Sequence, residues 1–340
     1  MSPDSSTLAA DRLAPLGARP PRVRGHARAA GVVGVGSALP ERVVPNAELA
    51  ARLGVGEDWI ERRTGIRERR YAAPGERVSD LAARAARGAL ADAGVQAHEL
   101  DMILVATVAA DEITPSTAPL VAHELGAGPI AAIDVGAACT GTISALALAS
   151  ASIEAGRAER VLVVGAEILT RFVDPDDKRT APLFADGAGA LVLGAQDSGG
   201  FGPFVLGSDG GAAHAIRATR ARGVLEMEGH ETFLMASERF TQSTREALEL
   251  ARLELGDVDL FVYHQANSRI LTAVAERLGA PRERVFDCLA GLGNTSAASI
   301  PIALAEAQRA GLLAPGARVV LGAVGAGLVW GATVLTWGDQ

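Results

Sequence analysis

Apolar positions in this chain follow two spacings that alternate along its length. Stripes recurring every three to four residues predict helices over 79–94, 115–126, 139–156, 231–255, 267–279 and 295–311. Between them, short apolar runs predict strands over 101–108, 130–135, 160–166, 188–194, 203–208, 259–263, 284–287, 318–323 and 329–336. An earlier strand begins in "GVVGVGSALP". Runs as continuous as "RVLVVGA" have no polar face, as in strands covered on both sides. Helices alternating with such strands predict an α/β fold.

The pattern also repeats. "ELDMILVAT" (99–107) answers "DVDLFVYHQ" (257–265), and "AERVLVVG" answers "GARVVLGA". Asp101 matches Asp259 and Arg160 matches Arg318 at one shared offset of 158, which predicts two related α/β halves. Gly-rich "AQDSGGFG" marks the boundary, giving halves over 29–197 and 198–340. Residues 1–28 are rich in Pro, Ala and Arg with no sustained apolar run, so they read as a disordered tail lacking a signal peptide's hydrophobic segment.

Composition then removes function classes. The formal net charge of -8 argues against nucleic acid as partner, and no stretch reads as a membrane span. Lys178 is the sole lysine and lies in "DPDDKRT", with neither a phosphate loop nor a Schiff-base setting around it. Gly34 and Gly36 suggest a dinucleotide turn, but Leu39 and Pro40 follow where a glycine and a helix are required. HExxH and CxxC spacings are missing, so no metal site is expected. The two cysteines, Cys139 and Cys288, lie far apart and fit a reducing cytoplasm better than a disulfide framework.

Candidate chemistry gathers at strand ends, where α/β sheets place their sites. Cys139 follows the strand over 130–135 and opens a predicted helix, His264 ends "LFVY", and Asn294 follows the strand over 284–287. Unsatisfied N–H groups at a helix start favour a thiolate, so Cys139 is read as a thiol of lowered pKa or else as a small core residue. His264 and Asn294 can each donate a hydrogen bond to one developing oxyanion, or else serve as a backbone partner and a turn residue. Topology alone leaves both readings open and names no reaction. Cys288 reads as a buried small residue.

Six motifs in order sharpen the choice: "EDWIERRTGIRERR" (57–70), "AACTG" (137–141), "FADGAGA" (184–190), "HQANSRI" (264–270), "GNTSAASIP" (293–301) and "GAGLVWG" (325–331). Together they resemble the β-ketoacyl-acyl-carrier-protein synthase III family of thiolase-like condensing enzymes, over roughly residues 29–340. The resemblance implies a cytoplasmic homodimer with a five-layer α/β/α/β/α fold made of two related halves and no metal or organic cofactor. It implies acyl-CoA and an acyl carrier protein as partners. Cys139 would take the acyl group, while His264 and Asn294 hold the malonyl thioester carbonyl during decarboxylative condensation. The backbone N–H groups of Cys139 and Ala326 would form the oxyanion hole. Trp59 and Arg63 match an adenine-contacting pair, Lys178 and Arg179 a phosphate-side segment, and Phe233, Asn267 and Arg269 the pantetheine channel.

Departures from the family pattern matter too. Thr114, in "ITPSTA", stands where a bulky Phe can occur in a loop that closes the neighbouring subunit's acyl pocket, and so widens that pocket. Ala326 replaces a glycine, and Leu234 and Glu276 stand at positions that are often basic in the carrier-docking patch, leaving Arg269 and Arg277. A weaker patch motivates the alternative that the acyl group passes to a hydroxyl, amine or thiol without decarboxylation.

Overall fold

Two mixed sheets run through the structure, a computed structural model that describes residues 29–197 and 199–338. The tail expected over 1–28 lies outside the described residues. One sheet contains β1 (Ala29–Ala38), β2 (Met102–Ala106), β3 (Ala131–Val135), β4 (Arg160–Ile168) and β5 (Asp186–Gln196), in the order β1-β5-β4-β2-β3. The other contains β6 (Gly200–Ser208), β7 (Leu260–Tyr263), β8 (Arg318–Gly325) and β9 (Val329–Thr336), in the order β7-β8-β9-β6. β2 is parallel to β4 as β7 is to β8, and the remaining pairs of the common order are antiparallel.

The repeat is visible bond by bond. Met102 pairs with Val161 and Leu260 with Val319, related by the same offset of 158. The Asp101 N–H donates to Arg160 O at 2.9 Å, and the Asp259 N–H to Arg318 O at 2.9 Å. Each aspartate's carboxylate in turn accepts from the N–H of that same arginine. The fold is thus thiolase-like, with two related halves.

Six longer helices complete five layers: α1 (Val78–Asp92), α2 (Thr117–Leu125), α3 (Gly141–Glu154), α4 (Gly229–Ala251), α5 (Ser268–Leu278) and α6 (Ser299–Arg309). α1 and α2 cover the outer face of the first sheet, and α4 and α5 that of the second. α3 and α6 lie between the sheets, in a core of Ala, Val, Leu and Ile. α3 is therefore apolar around most of its circumference, as a helix with a sheet on either side must be. Among the described residues no helix is long and apolar enough to cross a membrane.

Two expectations need correction. Segment 284–287 is no strand: it contributes a single bridge, Val285 to Phe261, before a short helix, Leu289–Leu292. The helix expected to start at 139 is preceded by a 3₁₀ turn, Ala138–Thr140, and α3 begins at Gly141.

Candidate active site

Cys139 sits in that 3₁₀ turn, just before the N-terminus of α3. Ala138 before it has φ 46°, a left-handed conformation that costs an L-residue about 1–2 kcal/mol. The turn is pressed against the end of β8, where a Cβ on Gly325 would lie 2.8 Å from the Cys139 nitrogen. Only glycine allows this approach, which brings the Ala326 N–H onto the Cys139 thiol. The thiol also meets its own backbone N–H and the Ser296 hydroxyl. Burial nevertheless pushes it up to about 11, against those hydrogen bonds. The lowered pKa expected from a helix start is overturned here, because desolvation under an apolar cavity outweighs the N–H groups.

His264 follows β7, with its N–H donating to Gly322 O at 2.8 Å. Its ring is buried, and that burial drives its pKa down to about 3, so the imidazole is neutral. Nδ1 lies 2.6 Å from Ser299 Oγ, which already accepts from the Gln265 N–H at 3.3 Å. The Ser299 hydroxyl can donate to Nδ1, and in that tautomer Nε2 is the N–H donor facing the cavity. Asn294 follows Gly293, whose φ is 70°, and exchanges backbone bonds with the 183–185 segment. Its Oδ1 accepts from the Ser296 N–H at 2.9 Å, which leaves the amide NH₂ to donate.

Cys139, His264, Asn294 and Ala326 all line one cavity of about 920 Å³, alongside apolar Leu183, Phe184 and Val324. A carbonyl oxygen reaching the imidazole and amide donors would be polarised toward an enolate, and one facing the two backbone N–H groups toward a tetrahedral oxyanion. Trp59, Arg63, Lys178, Arg179, Phe233, Asn267 and Arg269 line a second cavity, of about 520 Å³. The two cavities share Leu183, Met227, Gly229, Phe233 and Asn267, so they adjoin along one wall. Arg63 lies 4.4 Å over the Trp59 ring and Arg269 5.7 Å over Phe233. With the guanidinium directly on the indole, the pair does not stand apart as the two sides of an empty base slot. Asn267 caps α5 through the Arg269 N–H and donates to Arg63 O at 3.0 Å, tying the two channel walls together.

Thr114 is exposed and outside both linings, while its neighbour Ile113 reaches the first cavity's rim with 88% of its surface exposed. Cys288 lines neither cavity and packs against the inter-sheet core, where burial raises its thiol to about 12. Sequence reasoning passed over three residues of the site. Ser296 and Ser299 lie within the quoted "GNTSAASIP" motif, and Glu167 is the lone acid in a strand that is apolar after Arg160. A charged residue in a strand buried on both faces was the available signal. Among the described residues no cluster of His, Cys, Asp or Glu could hold a metal ion.

Comparisons with known proteins bear on the family and the fold. Residues 133–228 match the model for 3-oxoacyl-[acyl-carrier-protein (ACP)] synthase III, and residues 248–337 match that for its C-terminal part. The chain is 44% identical over 327 residues to β-ketoacyl-[acyl-carrier-protein] synthase III 3 of Streptomyces coelicolor, covering 91% of this chain and 98% of the relative. The 3-oxoacyl-[acyl-carrier-protein] synthase III structure from Aquifex aeolicus superposes with a TM-score of 0.89 at 40% identity, covering 91% of this chain and 100% of the other. The priming β-ketosynthase of the R1128 polyketide pathway gives 0.89 at 38% identity, covering 95% of this chain and 99% of the other. Fold and sequence agree, and the chain belongs to the 3-oxoacyl-[acyl-carrier-protein] synthase III family of thiolase-like acyltransferases.

Proposed function

We propose that the protein condenses an acyl group from acyl-CoA with malonyl-acyl carrier protein, priming fatty-acid or polyketide synthesis. The observation that carries this reading is a single cavity lined by a thiol, two side-chain donors and the Ala326 loop. Cys139 attacks the acyl-CoA thioester, the N–H groups of Cys139 and Ala326 hold the oxyanion, and CoA leaves as its thiol. Malonyl thioester then occupies the cavity with its carbonyl oxygen on His264 Nε2 and the Asn294 amide. Loss of carbon dioxide leaves the electron pair in an enolate, which attacks the acyl-cysteine and frees Cys139 with a β-ketoacyl carrier protein. A neutral imidazole suits this step, because decarboxylation needs a donor and no base. No metal or organic cofactor enters the scheme.

The second cavity takes the CoA moiety, with Lys178 and Arg179 toward the phosphates and Trp59 and Arg63 beside the base. Residues 29–197 and 198–340 form the two halves. A homodimer is supported by the unpaired edge of β3, where Ile133 is half-exposed, and by exposed Leu148 and Ile113. Pairing there would carry Thr114 toward the partner's acyl pocket. Two separated free thiols fit the cytoplasm. Arg269 and Arg277 offer positive charge to the carrier protein, whereas half-exposed Leu234 and the nearby Glu276 dilute it. That dilution favours, as the second reading, transfer of the acyl group to a hydroxyl, amine or thiol acceptor.

Incubation with acyl-CoA and malonyl carrier protein tests the proposal. Carbon dioxide release with a β-ketoacyl product is expected. An acyl-enzyme that never releases carbon dioxide would replace condensation by direct acyl transfer, and no acyl-enzyme at all would rule out both.

A further inference from the structure

Glu167 is a carboxyl group at the site that condensation leaves without a task. It lies near the end of β4 and is fully buried. Oε2 accepts from the Val108 N–H at 3.1 Å and the Thr107 hydroxyl at 3.2 Å, and Oε1 accepts from Ser296 Oγ at 3.1 Å. Ser296 and Cys139 line the same cavity, and the Ser296 hydroxyl lowers the thiol's pKa, so the hydroxyl stands between thiol and carboxyl. The arrangement is built into the backbone. Ser296 has φ 50°, and a Cβ on Gly165 would lie 2.3 Å from Ala297 O, so only glycine lets this turn sit on β4.

The geometry points to a proton relay: Ser296 takes the Cys139 thiol proton while passing its own hydroxyl proton to Glu167. Ser296 acts on the reacting sulfur, and Glu167 is a positioning residue acting through it. The inference rests on Cys139 being the nucleophile. The Cys139 S–H bond and the Ser296 O–H bond break as a new O–H bond forms on Ser296 and another on Glu167, and the negative charge moves from carboxylate to sulfur. The thiolate attacks the acyl-CoA carbonyl, and the C–S bond to CoA breaks with its electron pair on the CoA sulfur. The Glu167 proton returns through Ser296 to that sulfur, leaving CoA thiol and a carboxylate.

Burial lifts Glu167 to about 8, against the hydrogen bonds it accepts, while the thiol stands at about 11. A buried acid of this kind takes a thiol proton far more readily than an exposed carboxylate would. Cys139 is the titratable group that faces it. Asp186 on neighbouring β5 spends its carboxylate on Ala72 and Thr170, and β2 carries no titratable side chain.

The test is single-turnover acylation by acetyl-CoA, followed by intact mass across about pH 6 to 10, on the full chain and on Glu167→Gln, Glu167→Asp and Ser296→Gly. Wild-type acylation is expected to rise as pH passes about 8, when the carboxylate becomes available. Glu167→Gln and Ser296→Gly should lose that rise and acylate roughly 10²-fold more slowly, while Glu167→Asp restores it. Glycine suits the left-handed φ at 296, so Ser296→Gly decides the matter if the Gln variant does not fold. Wild-type kinetics and pH profile in Ser296→Gly, or Glu167→Asp as slow as Glu167→Gln, would overturn the relay alone. No adduct in the wild type would overturn the nucleophile and the relay together.

Discussion

The two halves share a frame and divide the chemistry. At the common offset of 158, Glu167 at the end of β4 corresponds to Gly325 at the end of β8. His264 after β7 corresponds to Ala106 at the end of β2. One half supplies the thiol and carboxyl, and the other supplies the imidazole, the amide and the close backbone approach of Gly325. Duplicated strand ends therefore give two sets of positions facing one cavity, each free to carry a different group. The edges differ as well. The first sheet ends on β3 with half-exposed Ile133, whereas the second keeps only the Val285 bridge in the corresponding place. The first half thus keeps a full strand at the edge where the second keeps a single bridge.

The division can be broken one half at a time. Cys139→Ala should abolish the acyl adduct and lower turnover by roughly 10⁴-fold or more, read by intact mass and product formation. Gly325→Ala places a methyl 2.8 Å from the Cys139 nitrogen, so the loop must retreat and take the Ala326 N–H with it. Acyl transfer should fall roughly 10²- to 10³-fold, the scale of one lost oxyanion donor. Ala326→Gly keeps the N–H and should stay within a few-fold of wild type by the same argument. Trp59→Ala removes the ring under Arg63 and should raise the KM for acyl-CoA roughly tenfold while kcat holds, as for a contact made equally in ground and transition states.

The smallest effect lies in stability against pH, and the halves pull in opposite directions. Folded His264 is held near 3 against a free value of 6.5, so below pH 6.5 the unfolded chain binds a proton the folded one refuses. Its share of stability is lost as pH falls from 6.5 toward 3. Folded Glu167 is held near 8 against a free value of 4.5, so it stabilises below 4.5 and that share is lost as pH rises through 8. Thermal midpoints across pH should show both limbs, and Glu167→Gln should flatten the alkaline one.

Much of the fold is legible in the sequence alone. The continuous apolar runs predicted the central strands, and the Asp–Arg repeat predicted two sheets built alike because each Asp bonds its own Arg's backbone. What stayed illegible depended on distant partners. Strand 284–287 fails because only Val285 finds a neighbour, and strand membership is decided by pairing rather than by local composition. The thiol's environment was misread because periodicity carried the helix through Cys139, and nothing local announces a desolvating cavity. Glu167 went unremarked in its strand because its partner Ser296 lies 129 residues away in the other half. Thr114 is exposed in one chain, and no reading of one chain places it in a pocket.

The central claim is that Cys139 and the N–H groups around it carry acyl transfer, while His264 and Asn294 carry decarboxylation. Rapid-quench intact mass of His264→Ala and Asn294→Ala, first with acyl-CoA alone and then with malonyl carrier protein, tests it directly. Both variants should form the Cys139 adduct, then hold it while carbon dioxide release falls roughly 10²- to 10³-fold. Loss of the adduct itself, or its discharge into β-ketoacyl product at the wild-type rate, would contradict the account.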